Sequence, residues 1–102
     1  MSQTLTIQTD DGAFDALVVR PEGDGPSPAL VIVQEIFGVN DGIRQIAAEY
    51  AAQGFIAICP DMFWRFEPGL SLSERVEANW TKAIDFYNRY DFDKGADDVL
   101  KT

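Results

Sequence analysis

From residue 29 to residue 59 the chain reads as strand, glycine bend, helix, glycine stop and strand, and no other feature constrains the fold as tightly. Residues 29–34 form a continuous aliphatic run with β-branched Val31, Ile32 and Val33, the pattern of a strand covered on both faces. After Gly38, either Asn40 or Asp41 can cap a helix whose Ile43, Ile46, Ala47 and Tyr50 recur at helical spacing, and Gly54 ends it. Residues 55–59 make a second buried strand, stopped by Pro60 and Asp61. Short connections between these pieces predict a βαβ unit with parallel strands.

A hairpin precedes this unit. Residues 4–9 alternate Leu5 and Ile7 with polar neighbours, Asp10, Asp11 and Gly12 supply a turn, and residues 14–19 read as the returning strand. The turn carboxylates read as turn chemistry rather than as a site. Residues 21–28 are rich in Pro and Gly and form a loop. Residues 62–71 are aromatic-rich and irregular. Ser73 and Glu74 start a helix running to about Tyr90, with Val76, Trp80, Ala83, Ile84 and Tyr87 on one face, a stripe expected to pack in the core. Residues 96–102 begin another helix, with Val99 and Leu100 as its first apolar pair. The expectation is an α/β fold in a single domain, residues 1–102, that looks cut rather than finished, because the last helix and the sheet edges lack something to pack on.

Composition removes whole classes of function. With 8 Lys and Arg against 17 Asp and Glu, the net charge of −9 repels phosphate backbones, so nucleic acid and anionic membrane are not expected partners. The N-terminus lacks the basic and apolar regions of a secretory signal, and no apolar run approaches a membrane span. One cysteine, Cys59, forms no internal disulfide, which fits a reducing cytoplasm. The chain has no histidine, so it cannot assemble a Ser-His-Asp or Cys-His triad, nor a His-containing zinc site, by itself.

Several motifs fail on inspection. Residues 91–97 place acids at alternate positions but put Gly95, Ala96 and Thr102 where a calcium loop needs ligands or its bend glycine, so a solvated turn is expected there and no metal. Gly38 and Gly42 complete neither a P-loop nor a dinucleotide fingerprint, and no cofactor is expected. Cys59, on an aliphatic strand with no histidine to activate it, reads as structural. Glu35 is different. It ends a strand that reads as buried, where a carboxylate must be either paired or used, and the C-terminal ends of such strands are where open α/β sheets bind ligands. The turn that follows also exposes the N–H groups of Ile36 and Phe37 to a possible oxyanion.

Residues 31–65 closely resemble the dienelactone hydrolase family, α/β-hydrolase-fold enzymes with a cysteine nucleophile. The resemblance is carried by Gln34-Glu35-Ile36-Phe37-Gly38, by Asn40 and Arg44, and by the segment from Gly54 to Arg65 with its Cys59-Pro60-Asp61. The hairpin and the Gly-Ala-Asp-Asp segment at residues 95–98 also fit, so the similarity spans the chain but only the N-terminal portion of the family's domain. It implies that Glu35 helps switch the active-site thiol to thiolate and that the Ile36 N–H serves the oxyanion hole. It also implies that Arg44 can pair with a carboxylate. Cys59 matches a strand cysteine of the family, and the nucleophile elbow, acid and histidine of the family have no counterpart in these residues. Where better-known members contact substrate with an arginine and a tyrosine, this chain has Trp80 and Ile84, which puts the dienelactone itself in doubt as substrate.

The resemblance thus implies the N-terminal part of a carboxylic ester or lactone hydrolase acting on a small molecule, with Glu35 and Ile36 as its catalytic contribution and the 102 residues inactive alone. The alternative is a small non-catalytic α/β binding or interaction module. A second chain that completes the sheet, and even the site, would join the two readings.

Overall fold

The computed structural model describes residues 2–23 and 25–102; Met1, and Asp24 in the expected 21–28 loop, lie outside the described residues. Strands β1 (Ser2–Thr9) and β2 (Gly12–Val19) pair antiparallel, with Thr9 opposite Gly12 across the turn. Strand β3 (Ala29–Val31) leads through a long loop to helix α1 (Asp41–Ala52), and β4 (Ile56–Pro60) returns parallel to β3. Helices α2 (Glu77–Arg89) and α3 (Phe92–Lys101) follow. The sheet order is β1-β2-β4-β3, with β4 antiparallel to β2. The hairpin and the βαβ unit are therefore as expected, joined into one mixed sheet.

Helix α1 starts at Asn40, whose side chain accepts the Ile43 N–H and so satisfies one of the orphan donors of the first turn. It stops at Gly54, whose φ of +100° is one that a residue with a Cβ rarely adopts. Its buried face is Ile43, Ala47 and Ala51, of which Ile43 and Ala47 pack on Ala57 and Cys59 of β4 with Leu17 and Val19 of β2. Ile46 and Tyr50, expected in that stripe, are exposed. On β2 the alternate residues Phe14, Ala16 and Val18 are buried, and Phe14 stacks on Trp64 at 5.7 Å. A second cluster of Phe63, Leu70 and Phe86 ties α2 to the irregular 62–72 segment, where each fully buried side chain contributes about 1.5–3 kcal/mol.

Several expectations need correction. Strand β3 is only three residues long, extended by the Ile32 N–H donating to the Ile58 carbonyl at 2.8 Å. It lies at the sheet edge, so Val31 and Val33 are exposed rather than covered on both faces. The α2 stripe is also largely turned outward: Val76, Trp80, Ile84 and Tyr87 are exposed, and only Ala83 of the expected set is buried, together with Phe86, which lay outside it. Residues 73–76 stay outside the helix. Finally, α3 begins at Phe92 and not at residue 96, because Asp91 caps it by accepting the Lys94 N–H; the expected solvated turn at 91–97 is mostly helix.

Candidate functional site

The loop after β3 carries the motif. Gln34 anchors its start by accepting the Met62 N–H at 2.9 Å. The Gly38 N–H then closes a turn on the Glu35 carbonyl at 3.4 Å, which makes Ile36 and Phe37 its two central residues. Gly38 has φ +81° and bridges to Ser71, so close to Leu70 that a Cβ would overlap the Leu70 carbonyl. Among the described residues the Ile36 and Phe37 N–H groups donate to no backbone carbonyl. Two adjacent free donors on a braced turn can hold a developing negative charge.

Glu35 is exposed, where a buried carboxylate was expected, because β3 ends at Val31 and Glu35 lies in the loop beyond it. Its carboxylate makes no ion pair among the described residues. It stands between two cavities. One, of about 270 Å³, is apolar and runs from Glu35 and Ile36 to Tyr87, Tyr90 and Val99. The other, of about 240 Å³, reaches Glu35 from the side of Phe37, Asn40, Glu74 and Trp80. Glu35 thus shares one cavity with Ile36 and the other with Trp80. The Trp80 ring meets Phe37 edge-on at 4.8 Å, and its Nε1 donates to the Glu74 carbonyl at 2.7 Å.

The other sequence candidates fall elsewhere. Ile84 is exposed and lines neither cavity. Arg44 forms no ion pair among the described residues; it lines a separate space of about 150 Å³ with Cys59 and Asp61. Cys59 is fully buried, and burial pushes its thiol up to about 11, against a smaller opposing pull from Arg44. At neutral pH it is a packed, unreactive thiol. No group of His, Cys, Asp and Glu among the described residues could hold a metal ion, and no helix is long and apolar enough to cross a membrane.

Sequence reasoning missed Tyr90 and Asp98. Tyr90 walls the larger of these two cavities with its hydroxyl buried and without a partner among the described residues, and burial raises its pKa. Asp98 holds α3, the far wall, in place through Trp64 and Arg65. The adjacent Trp64-Arg65 pair, with donors needing an acceptor once buried, was the available signal.

The family model described as Dienelactone hydrolase family matches residues 14–90. This chain belongs to the dienelactone hydrolase family. It is 48% identical over 85 residues to a protein of Azospirillum brasilense named "Putative carboxymethylenebutenolidase", covering 83% of this chain and 37% of that one. It is 36% identical over 100 residues to a carboxymethylenebutenolidase of Pseudomonas putida, covering 97% and 42%. A crystal structure of a "Putative Dienelactone Hydrolase" from Klebsiella pneumoniae subsp. pneumoniae MGH 78578 superposes with a TM-score of 0.58 at 35% identity, covering 64% of this chain and 28% of that one. The chain therefore spans well under half the length of the relatives it matches, and its mixed sheet and helices are part of the α/β-hydrolase fold those structures share.

Proposed function

We propose that this chain supplies the oxyanion turn and the controlling glutamate of a dienelactone-hydrolase-like carboxylic ester or lactone hydrolase. The observation that carries the reading is the Glu35–Gly38 turn: among the described residues its Ile36 and Phe37 N–H groups donate to no backbone carbonyl and its carboxylate makes no ion pair, and Glu35 and Ile36 line an apolar cavity just past the C-terminal end of a parallel strand. In this reading a thiolate attacks the substrate carbonyl, the Ile36 N–H holds the oxygen as it gains charge, and Glu35 governs the charge state of the thiol. Cys59 cannot be that thiol, being buried and shifted away from ionisation. The nucleophile, the histidine and its acid partner come from residues outside these 102, in the same polypeptide or in a second chain. The reaction belongs in the cytoplasm, where a catalytic thiol stays reduced.

The cavity walls favour a substrate with an apolar body. Trp80 lines the second cavity with Glu35 and Glu74 and with no cation among the lining residues, so neutral esters and lactones fit better than an anionic lactone. The test is turnover of an aryl ester and of an enol lactone by the protein isolated from its source. The expected result is hydrolysis that iodoacetamide abolishes and that survives Cys59→Ala. No turnover of either substrate, or full loss in C59A, would overturn the reading.

One observation favours a second reading, in which the chain docks onto a partner without catalysis. The outer edge of β3 and the Trp80, Ile84 and Tyr87 stripe of α2 are apolar and exposed. A stable, monodisperse heterocomplex without ester turnover would support it.

A further inference from the structure

Asn40 touches three parts of the molecule at once. Its Oδ1 accepts the Ile43 N–H at 3.2 Å, capping α1, and its Nδ2 donates to the Leu72 carbonyl at 2.9 Å. Those partners settle the orientation of the amide, since only the nitrogen can serve a carbonyl and only the oxygen an N–H. The same Nδ2 lies 3.3 Å from Glu74 Oε2, and the residue is only 8% exposed. A helix cap needs the oxygen alone, and Asp caps as well as Asn. The donor half of Asn40 is surplus to capping.

What that donor holds is Leu72, which is gripped from both sides. Its carbonyl takes the Asn40 amide, and its N–H donates to the Phe37 carbonyl at 2.8 Å. Phe37 is a central residue of the Glu35–Gly38 turn, and Gly38 bridges to Ser71 next door. Residues 71–74 therefore form a strap across the back of the turn, and Asn40 buckles that strap to the N-terminus of α1.

We infer that Asn40 is a positioning residue, one that fixes the Ile36 and Phe37 N–H groups through Leu72, with Glu74 orienting its amide. The inference rests on the reading of this turn as an oxyanion site. Donors to a developing oxyanion act through preorganisation, and a displacement of about 1 Å can reduce rate by roughly 10²-fold. Loosening the strap should therefore lower kcat with little effect on KM.

The variant that separates the two halves of Asn40 is N40D. It keeps the capping oxygen but sets a carboxylate against the Leu72 carbonyl and Glu74. In the protein as its source makes it, hydrogen exchange across residues 34–39 and 70–74 should accelerate while α1 stays protected, and kcat for an aryl ester should fall about tenfold or more with KM nearly unchanged. Adding E74Q, whose amide can donate to the new carboxylate, should restore part of both. Should N40D fold poorly, Asn40→Ser keeps a capping oxygen, lacks the donor reach to Leu72 and is read in the same way. Unaltered exchange in either variant, or a loosened turn with full kcat, would overturn the inference. A parent without ester or lactone turnover would instead overturn the reading of the site, with exchange still deciding whether Asn40 holds the turn.

Discussion

Arg65 holds Asp98 with both arms of its guanidinium, Nη1 to Oδ2 at 2.7 Å and Nη2 to Oδ1 at 3.2 Å. Trp64 Nε1 donates to the same Oδ2 at 3.0 Å, and Asp98 is 1% exposed. The carboxylate of α3 is thus paired and hydrogen-bonded, the condition under which a buried charge is tolerated. Arg65 also reaches Asp11 in the hairpin turn at 3.1 Å, so one cation joins the first turn of the chain to its last helix.

Removing Asp98 leaves Arg65 and Trp64 without their buried acceptor. Asp98→Ala should lose about 3 kcal/mol of stability, read as a lower urea midpoint. Asp11→Ala should lose far less, and its effect should vanish in high salt, because that pair is open to water. Equal losses in the two variants would contradict this ranking.

Gly38 is the backbone position with least tolerance. Its φ of +81° and its contact with the Leu70 carbonyl both exclude a side chain. Gly38→Ala should therefore lose about 2 kcal/mol or more. Gly25→Ala, in open space without a positive φ, should be near neutral. Thermal unfolding of the two variants checks the contrast.

Cys59 should resist thiol reagents while the protein is folded. With its thiol pushed up to about 11, about one molecule in a thousand carries the thiolate at pH 8, and the side chain has no exposed surface. Reaction of Cys59 with a disulfide reagent should wait for unfolding and follow the unfolding rate. Fast labelling of Cys59 in native protein would contradict the assignment of a structural role.

Asp61 carries a pH signature of the opposite kind from most carboxylates. Burial raises its pKa, outweighing the lowering by the backbone N–H groups of Gly69, which donates to Oδ2 at 2.7 Å, and of Phe63. A pKa higher in the folded state means the folded state binds the proton more tightly. This group's contribution therefore favours folding most below the unfolded value and is lost as pH rises through the folded value. Asp61→Asn can keep the acceptor for Gly69 without the buried charge. It should raise Tm at neutral pH, with the gain shrinking on acidification, and a gain that grew in acid would refute the assignment.

The parts of the fold that were legible in sequence are those set by local chemistry. The hairpin follows from alternation and an Asp-rich turn, and α1 from its cap, its spacing and Gly54. The fate of amphipathic stripes was not legible, because it depends on what lies opposite. The α2 stripe has the right spacing for a core, yet Trp80, Ile84 and Tyr87 face outward, since the aromatic cluster around Phe63 takes the opposite face. Glu35 was singled out for the expected burial of its strand, which proved false; it stands in the loop just past the end of parallel β3, where it lines both cavities. The donor half of Asn40 was invisible because its partner lies over 30 positions away in sequence, and for Asp98, as distant from its partners, the Trp64-Arg65 pair signals only that some acceptor is needed.

The central claim is that the Glu35 carboxylate belongs to a hydrolytic site. The most direct measurement is kcat/KM for an aryl ester and an enol lactone, comparing the protein as its source makes it with its Glu35→Ala variant. The account expects a loss of about 10²-fold or more with folding unchanged, because Glu35 is exposed and holds up none of the core. Turnover in the variant within about twofold of the parent would contradict it.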